Sequence, residues 1–247
     1  MAWGQSAEAR PPLLAVLIDA DNTSPRVADA VFKEIATLGE ASVRRLYGDF
    51  STGQLRAWEK KLAPLAIVPF WQPANTVGKN SSDIALVIDA MDLVHSGRFD
   101  GFCLVSSDSD FTRLASRIRE QGLDVYGFGE RKTPEAFRQA CKRFFYVENL
   151  GDVEGEKAPG TKAKTEKPSA VAPLVRAAME ACDDDDGWVR LGPLGQQLQA
   201  THPDFDPRTF GSRKLSDLLE KAGFEVDTAT RPARMRLKPK TRSRGKG

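Results

Sequence analysis

The sequence predicts an α/β fold: a three-layer α/β/α domain with a mostly parallel sheet, followed by a small winged-helix-like domain. Short apolar runs recur through residues 13–147, and helical patterns lie between them. Strands that alternate with helices are joined by right-handed crossovers, so the strands are parallel and both faces of the sheet are covered. The second domain is predicted because a segment without apolar periodicity ends this alternation and a mainly helical pattern follows it.

Five apolar runs have the length expected of buried strands. They are LLAVLI (13–18), SVRRLY (42–47), LAIVPF (65–70), GFCLVS (101–106) and DVYGF (124–128). The intervening patterns predict helices at about 25–38, 54–62, 82–95 and 110–121. The first helix follows Ser24 and Pro25, and serine is a favourable N-cap while proline is favourable at the first helical position.

The expected organisation is an α/β domain over 1–150, a flexible linker over 151–169, a winged-helix-like domain over 170–240 and a basic tail over 241–247. The linker is made mainly of Gly, Pro, Lys, Glu and Ala, which favours flexibility. Beyond it, three helical faces are apolar and WVRL (188–191) and ARMRLKP (233–239) resemble short strands. The acidic run DDDD (183–186) is expected in a solvated loop. The faces comprise Leu174, Val175, Ala178 and Met179; Leu194, Leu198 and Ala200; and Leu215, Leu218 and Leu219.

The composition is that of a soluble globular protein, with 40% apolar and 28% charged residues. No apolar run approaches the roughly 20 residues of a membrane helix, and the first residues lack the pattern of a signal peptide. The three cysteines are far apart, which favours neither a disulfide framework nor a cysteine zinc site. A cytoplasmic location is therefore expected.

The net charge of +2 is unevenly distributed. Eight Lys or Arg and no acid lie in the last 17 residues, so the preceding 230 residues carry −6. A basic tail beside a slightly acidic body favours an electrostatic arm that binds phosphates. A tail that only increases solubility is the alternative.

Carboxylates follow two of the predicted strands. Asp19 ends the first strand in LIDADNT, and Asp108 and Asp110 follow the fourth in VSSDSDF. Ligands of open parallel sheets bind beyond the carboxyl ends of strands, at the point where the strand order reverses. If strands one and four are neighbours there, Asp19 and Asp108 face each other, with Asn22 beside them.

A third carboxylate comes from the helix over 82–95. Asp83 opens a stripe that continues through Val87, Ala90 and Val94, so it points towards the sheet. Asp92 is about 180° around the helix and is expected in solvent, while the spacing alone does not place Asp89 in the site. The four acids Asp19, Asp83, Asp108 and Asp110 form an all-oxygen set, which suits Mg²⁺ or Mn²⁺.

Structural roles are the alternatives for three acids. Asp110 is also in position to cap the helix that starts near Phe111. Asp83 is in position to cap or charge the first turn of its own helix, and Asp21 is interpreted as a turn residue. Asp19 and Asp108 are the hardest to explain structurally, because each follows a core strand.

These motifs resemble those of the NYN family of PIN-like nucleases. The resemblance rests on LIDADN, on Lys79 with Asp83 and Asp89 after it, and on VSSDSDF. It implies a PIN-like fold and metal-dependent ribonuclease chemistry, with an endonuclease expected. It makes the four acids the catalytic, metal-binding residues, Asn22 a polar site residue and Asp89 a supporting residue.

Other side chains near these motifs are candidates for contact with the substrate. Lys79 precedes the Asp83 helix and is placed to contact the scissile or a neighbouring phosphate, although an exposed loop lysine is an equal alternative. Ser106 is the other candidate for substrate binding. Ser106 and Ser107 are interpreted as supporting the turn rather than as nucleophiles, because no activating histidine is evident.

The C-terminal residues resemble an OST-HTH/LOTUS domain. The resemblance rests on THPDFDPRTFGSRKLSDLLEKAGFEV within about residues 170–239. It implies RNA binding, to single-stranded or structured RNA, and no chemistry. A homodimer or a protein partner bound through this domain is the alternative.

Two other functions are alternatives to a nuclease. DADNT resembles the D-x-D-x-T loop of haloacid-dehalogenase-like phosphatases, with Asp19 as nucleophile and Asp21 as acid/base. That scheme needs an acidic pair after Lys132, and residues 133–147 contain only Glu135. The other alternative is an RNA-binding adaptor whose nuclease fold is inactive, but an inactive fold has no need to keep mutually repelling carboxylates.

Overall fold

The computed structural model describes residues 10–48, 56–71, 81–151, 165–182 and 184–238. The chain divides into two compact units, Met1–Pro159 and Gly160–Gly247. Each unit has an apolar core of its own.

Six strands form the sheet of the first unit. They are β1 (Leu13–Asp19), β2 (Glu40–Gly48), β3 (Val68–Trp71), β4 (Gly101–Val105), β5 (Asp124–Gly129) and β6 (Arg143–Tyr146). Their order is β3-β2-β1-β4-β5-β6, and every neighbouring pair is parallel. The predicted α/β domain with a parallel sheet is confirmed. Because β1 and β4 are adjacent, the winding direction reverses between them, and their carboxyl ends border the crevice where ligands bind in such sheets.

Helices cover both faces of this sheet. They are α1 (Ala28–Ile35), α2 (Arg56–Leu62), α3 (Ser81–His95), α4 (Thr112–Glu120) and α5 (Glu135–Ala140). The helices α1 and α2 pack against Leu14, Val16 and Ile18 of β1, while α3, α4 and α5 cover the face that contains Ala15 and Leu17. Asp19 continues the alternation of Ala15 and Leu17, which directs its side chain to the face of α3.

The predicted start of the first helix is confirmed. Ser24 accepts a 3.4 Å hydrogen bond from the backbone N–H of Arg26, and Pro25 opens a short 3₁₀ turn that leads into α1. The capping serine thus satisfies one of the N–H groups that a helix start leaves unpaired.

The third strand differs from its prediction, and one helix and one strand were not predicted. Ala66 has a φ of 51°, so the chain turns there; Ile67 packs beside α1 and α2, and β3 begins only at Val68. The helix α5 has six residues, too few for a helical periodicity to be recognised, and β6 (RFFY) has no polar alternation.

The second unit combines three helices with a small antiparallel sheet, as the winged-helix-like prediction requires. Its core is apolar and includes Val175, Leu194, Leu218 and Met235. The elements are α6 (Ala172–Glu180), β7 (Asp184–Asp185), β8 (Trp188–Arg190), α7 (Leu191–Thr201), α8 (Leu215–Lys221), β9 (Phe224–Asp227) and β10 (Arg234–Leu237), with the sheet order β7-β8-β10-β9.

Two details of this unit differ from what its sequence predicts. Asp184 and Asp185 of the acidic run form β7 and pair with β8, where a loop was predicted. Ala200 is exposed and does not extend the apolar face of α7. Throughout the part of the chain that the structure describes, no helix combines the length and apolarity needed to cross a membrane.

Candidate active site

Asp19 lies at the carboxyl end of β1 and is only 1% exposed. Its Oδ1 accepts hydrogen bonds from the backbone N–H groups of Asp21 (3.1 Å) and Asn22 (3.2 Å). Its Oδ2 accepts from the Asn22 side-chain amide (2.9 Å) and from the Ser106 hydroxyl (2.7 Å). Burial raises the pKa of Asp19, and the hydrogen bonds from Ser106 and Asn22 oppose this rise because they favour the carboxylate.

The turn after β4 is held by its own polar groups. Ser106 is 2% exposed, and its Oγ accepts a 3.0 Å hydrogen bond from the backbone N–H of Asp108. Asp108 Oδ1 in turn accepts from the backbone N–H of Asp110 (2.9 Å) and caps a 3₁₀ turn at Ser109–Phe111. Asp108 is therefore the capping residue. The capping role that was the structural alternative for Asp110 is not observed, and its side chain is exposed.

Two further hydrogen bonds connect this turn to neighbouring segments. The Thr23 hydroxyl donates to the carbonyl of Val105 (3.1 Å), which joins the loop after β1 to the end of β4. The Ser107 hydroxyl accepts from the backbone N–H of Glu130 (2.9 Å), at the end of β5. The carboxyl ends of three neighbouring strands are thus fixed relative to one another.

Asp83 brings a helix to the same edge of the sheet. It lies half-buried in the first turn of α3. Its pKa is raised to about 6, first by burial and then by repulsion from the carboxylates of Asp19, Asp108, Asp21 and Asp110. Next to it, the Ser82 hydroxyl donates a 3.0 Å hydrogen bond to Asp21 Oδ2. Three segments that are distant in sequence therefore place their acids together.

Asp21, which was interpreted from the sequence as a turn residue or as the acid/base of a phosphatase, also belongs to this acidic group. It is exposed, accepts the hydrogen bond from Ser82 and contributes to the raised pKa of Asp83. The signal was present in LIDADN, where a second acid follows Asp19 by two residues. Strand alternation does not extend past the end of β1, so the sequence did not show where this side chain points.

Asp89 lies on another side of α3 and contacts different residues. Its carboxylate accepts hydrogen bonds from the Arg45 guanidinium and the Tyr47 hydroxyl, both on β2. Neither partner was predicted from the sequence. Asp92 is exposed, as predicted from the helix geometry. Lys79 lies outside the described residues, so its contact with a phosphate stays a prediction.

The acids at this edge have the chemistry of a divalent cation site. All are hard oxygen ligands, and their mutual repulsion raises the pKa of Asp83, a repulsion that a bound cation would relieve. Within the described ranges, no Lys or Arg forms an ion pair with Asp19, Asp83, Asp108 or Asp110. The same ranges contain no three His, Cys, Asp or Glu side chains at the spacing of a formed metal centre. The residues fit the ion in type and charge.

Comparison with protein families agrees with this geometry. The NYN domain model matches residues 13–148, more than half of the chain. The chain belongs to the NYN family. The matched range contains the six-stranded sheet and every acid of the candidate site, and a haloacid-dehalogenase-like phosphatase is therefore not retained. Residues 166–235 match the OST-HTH/LOTUS domain, which is the small second unit.

Two solved structures are similar to parts of this NYN protein. A protein of unknown function from Vibrio parahaemolyticus is 21% identical, with a TM-score of 0.46, over 55% of this chain and 93% of that chain. An uncharacterized protein from Nitrosomonas europaea is 30% identical, with a TM-score of 0.26, over 36% of this chain and 90% of that chain. At these scores neither likeness bears on function. No curated protein matches the chain.

Proposed function

We propose that this protein is a divalent-metal-dependent ribonuclease, acting as an endonuclease, whose OST-HTH/LOTUS domain binds the RNA. The observation that carries the proposal is the convergence of carboxylates beyond β1 and β4, where burial and four neighbouring acids raise the pKa of Asp83 to about 6. Perturbed carboxyl groups at the switch point of a parallel sheet are typical of functional sites. Membership of the NYN family supports the same chemistry.

Asp19, Asp83, Asp108 and Asp110 would hold Mg²⁺ or Mn²⁺ as the metal-binding, catalytic residues. When bound, such an ion supplies a Lewis acid that activates water and stabilises the charge that develops on the phosphate oxygens. Asp19 needs to be ionised for this role, and Ser106 and Asn22 favour its carboxylate form through their hydrogen bonds. The cap at Asp108 fixes the turn that carries both Asp108 and Asp110.

The remaining candidate residues act on the substrate or on the acids. Lys79 would contact a phosphate of the RNA, and Asn22 would orient Asp19 and a substrate oxygen. Ser106 is buried and hydrogen-bonded to Asp19 and Asp108, so its contacts support the turn; direct contact with RNA stays a prediction. Asp89 would support the site indirectly, through α3.

The second domain and the tail would retain the RNA. The tail beyond Pro239 carries only basic charges, and a phosphate-binding arm raises affinity without base preference. Residues 151–169 join the two domains and have the composition of a flexible linker. RNA held by the second domain would therefore be present at a high local concentration near the acids.

The test is incubation of the purified full chain with end-labelled single-stranded RNA in Mn²⁺, Mg²⁺ or EDTA. We expect internal cleavage with either ion and none with EDTA. Bound RNA that stays intact in both ions would instead favour an RNA-binding adaptor. An Asp19→Asn variant that is purified in the same way as the wild type controls for a contaminating nuclease.

A further inference from the structure

A hydrogen-bonded group connects α3 to the sheet one to two turns away from Asp83. Asp89 of α3 accepts from Arg45 and Tyr47 of β2, and the side chains of Arg45 and Asp89 are only 25% and 18% exposed. The Arg45 guanidinium also lies 4.7 Å from the ring centroid of Phe70 on β3. Arg45 is therefore held between a carboxylate and an aromatic ring, which restricts its rotamers.

Tyr47 connects this group to the end of β1. Tyr47 of β2 is the neighbour of Asp19 of β1 in the sheet, and its carbonyl accepts a 2.8 Å hydrogen bond from the backbone N–H of Ala20. Its side chain is 1% exposed and its hydroxyl donates to Asp89. Burial, reinforced by Asp89, raises the pKa of Tyr47, so the hydroxyl remains a donor. One residue thus holds the strand that carries Asp19 and the helix that carries Asp83.

The acids at the edge of the sheet oppose this attachment. Asp83 is repelled by the carboxylates of Asp19, Asp108, Asp21 and Asp110, and repulsion between like charges favours their separation. The described contacts that resist it include the Ser82–Asp21 hydrogen bond, the apolar packing of α3 through residues such as Leu86 and Ala90, and the Asp89 group. Among these, only the Asp89 group connects α3 by hydrogen bonds to the strand beside Asp19.

We propose that Arg45, Tyr47 and Asp89 form a positioning clamp that holds Asp83 at a fixed distance from Asp19 and so sets the affinity of the site for a divalent cation. The clamp rests on the proposed function, since it presumes that these acids hold the ion. Its three residues are positioning residues: they act through α3 and touch neither the ion nor the RNA. Outer residues that orient metal ligands typically change metal affinity by 10-fold to 100-fold when they are replaced.

The test compares Tyr47→Phe and Asp89→Asn with two matched controls in the full chain. Tyr126→Phe removes a similar hydroxyl-to-carboxylate hydrogen bond, to Asp124 (3.1 Å) at the start of β5, where the amino ends of the strands lie and not the carboxyl ends that carry the acids. Asp92→Asn removes an exposed carboxylate from the same helix. Calorimetric titration with Mn²⁺, without RNA, should show an affinity about tenfold weaker in both clamp variants and unchanged in both controls.

Cleavage and hydrogen exchange provide the second readouts. In the clamp variants, the Mn²⁺ concentration for half-maximal cleavage should rise, while the RNA concentration for half-maximal rate at saturating Mn²⁺ should not change. Exchange of the amides of residues 85–88, which bond back to the carbonyls of the first turn of α3, should accelerate in metal-free protein. Folded clamp variants that bind Mn²⁺ like the wild type would overturn the clamp.

The failure of the proposed function gives a different pattern. If the wild type binds no Mn²⁺ and cuts no RNA, the ribonuclease assignment fails. The affinity for Mn²⁺ then cannot be used to test the effect of the clamp residues. Hydrogen exchange then decides: faster exchange of the amides of residues 85–88 in both clamp variants, and in neither control, supports the positioning role. Unchanged exchange overturns it.

Discussion

The hydroxyl of Ser106 donates a 2.7 Å hydrogen bond to Oδ2 of Asp19, across the carboxyl ends of β4 and β1. Both residues are almost fully buried, at 2% and 1% exposure. A buried carboxylate is stable only when its oxygens are hydrogen-bonded, and Ser106 is the leading side chain that lowers the pKa of Asp19 against the effect of burial.

Ser106→Ala should therefore weaken binding of Mn²⁺ to the metal-free protein. Loss of a hydrogen bond to a charged group costs about 1.5–3 kcal/mol, which is an upper limit for the loss of binding free energy because the bond is also present without the ion, so we expect an affinity about tenfold weaker. Because the pKa of Asp19 rises further, more of it is protonated at low pH, so the loss of affinity should increase as the pH falls. Calorimetric titration at a series of pH values measures this. Ser116→Ala, which removes a hydroxyl bonded to the Thr112 carbonyl on α4, is the control.

The raised pKa of Asp83 predicts a pH-dependent stability in metal-free protein. The folded state binds the proton of Asp83 more tightly than the unfolded state, so the contribution of Asp83 to stability is greatest below the ordinary pKa of 3.8 and is lost as pH rises through about 6. Asp83→Asn should remove this loss. The free energy of unfolding of the variant, relative to that of the wild type, should therefore be higher at pH 7.5 than at pH 4, by about 1 kcal/mol after screening by solvent. Urea unfolding in EDTA at the two pH values measures it. An Asp92→Asn variant with the same pH dependence as Asp83→Asn would show that the effect does not come from the site.

Gly129 is predicted to be intolerant of a side chain because it lies against the turn after β4. A Cβ at this position would approach the backbone oxygen of Ser106 to 2.6 Å and the Thr133 hydroxyl to 2.7 Å. Gly129→Ala should displace Ser106 and cost about 1–3 kcal/mol of stability, together with a weaker affinity for Mn²⁺. At Gly192 in α7 a Cβ meets nothing within 4 Å, so Gly192→Ala should lower neither the stability nor the affinity for Mn²⁺. Thermal unfolding and Mn²⁺ titration of the two variants test the difference, and equal behaviour would contradict it.

The tail beyond Pro239 is predicted to bind RNA through its charge alone. Replacing Lys240, Arg242, Arg244 and Lys246 with glutamine should weaken the affinity to a similar extent for RNAs of different sequence. The slope of log affinity against log salt concentration should become shallower by about 0.7 for each RNA phosphate that the tail no longer neutralises. Binding measured at several salt concentrations tests this, and an unchanged slope would leave the tail a solubilising segment.

The sequence predicted the elements that carry the acids better than the contacts among them. Asp19 and Asp108 were identifiable because a carboxylate directly after a buried strand has few structural explanations, and Asp83 because it opens an apolar helical stripe. The partners of Asp89 were not identifiable. Arg45 and Tyr47 lie on β2, more than 40 residues before Asp89 in the sequence. Their contact with Asp89 depends on how α3 packs on the sheet, which no local sequence pattern shows.

The same distinction explains the elements that were misassigned. The strand β3 begins after Ala66 because a left-handed residue interrupts an apolar run that looks continuous in sequence. Asp184 and Asp185 form a strand because β8 supplies hydrogen-bond partners, although aspartate is disfavoured in strands. In both places a backbone conformation or a neighbouring strand overrides the local preference.

The most direct measurement is single-turnover cleavage of labelled single-stranded RNA in Mn²⁺ by wild type, Asp108→Asn and Asp92→Asn. Asparagine caps helices about as well as aspartate, so Asp108→Asn keeps the turn while it removes one carboxylate of the cluster. We predict that Asp108→Asn cleaves at least about a hundredfold more slowly, a loss of about 2.7 kcal/mol in transition-state stabilisation, while Asp92→Asn cleaves like the wild type. Equal cleavage by Asp108→Asn and the wild type, in preparations free of other nucleases, would contradict the assignment of the acids as the catalytic centre.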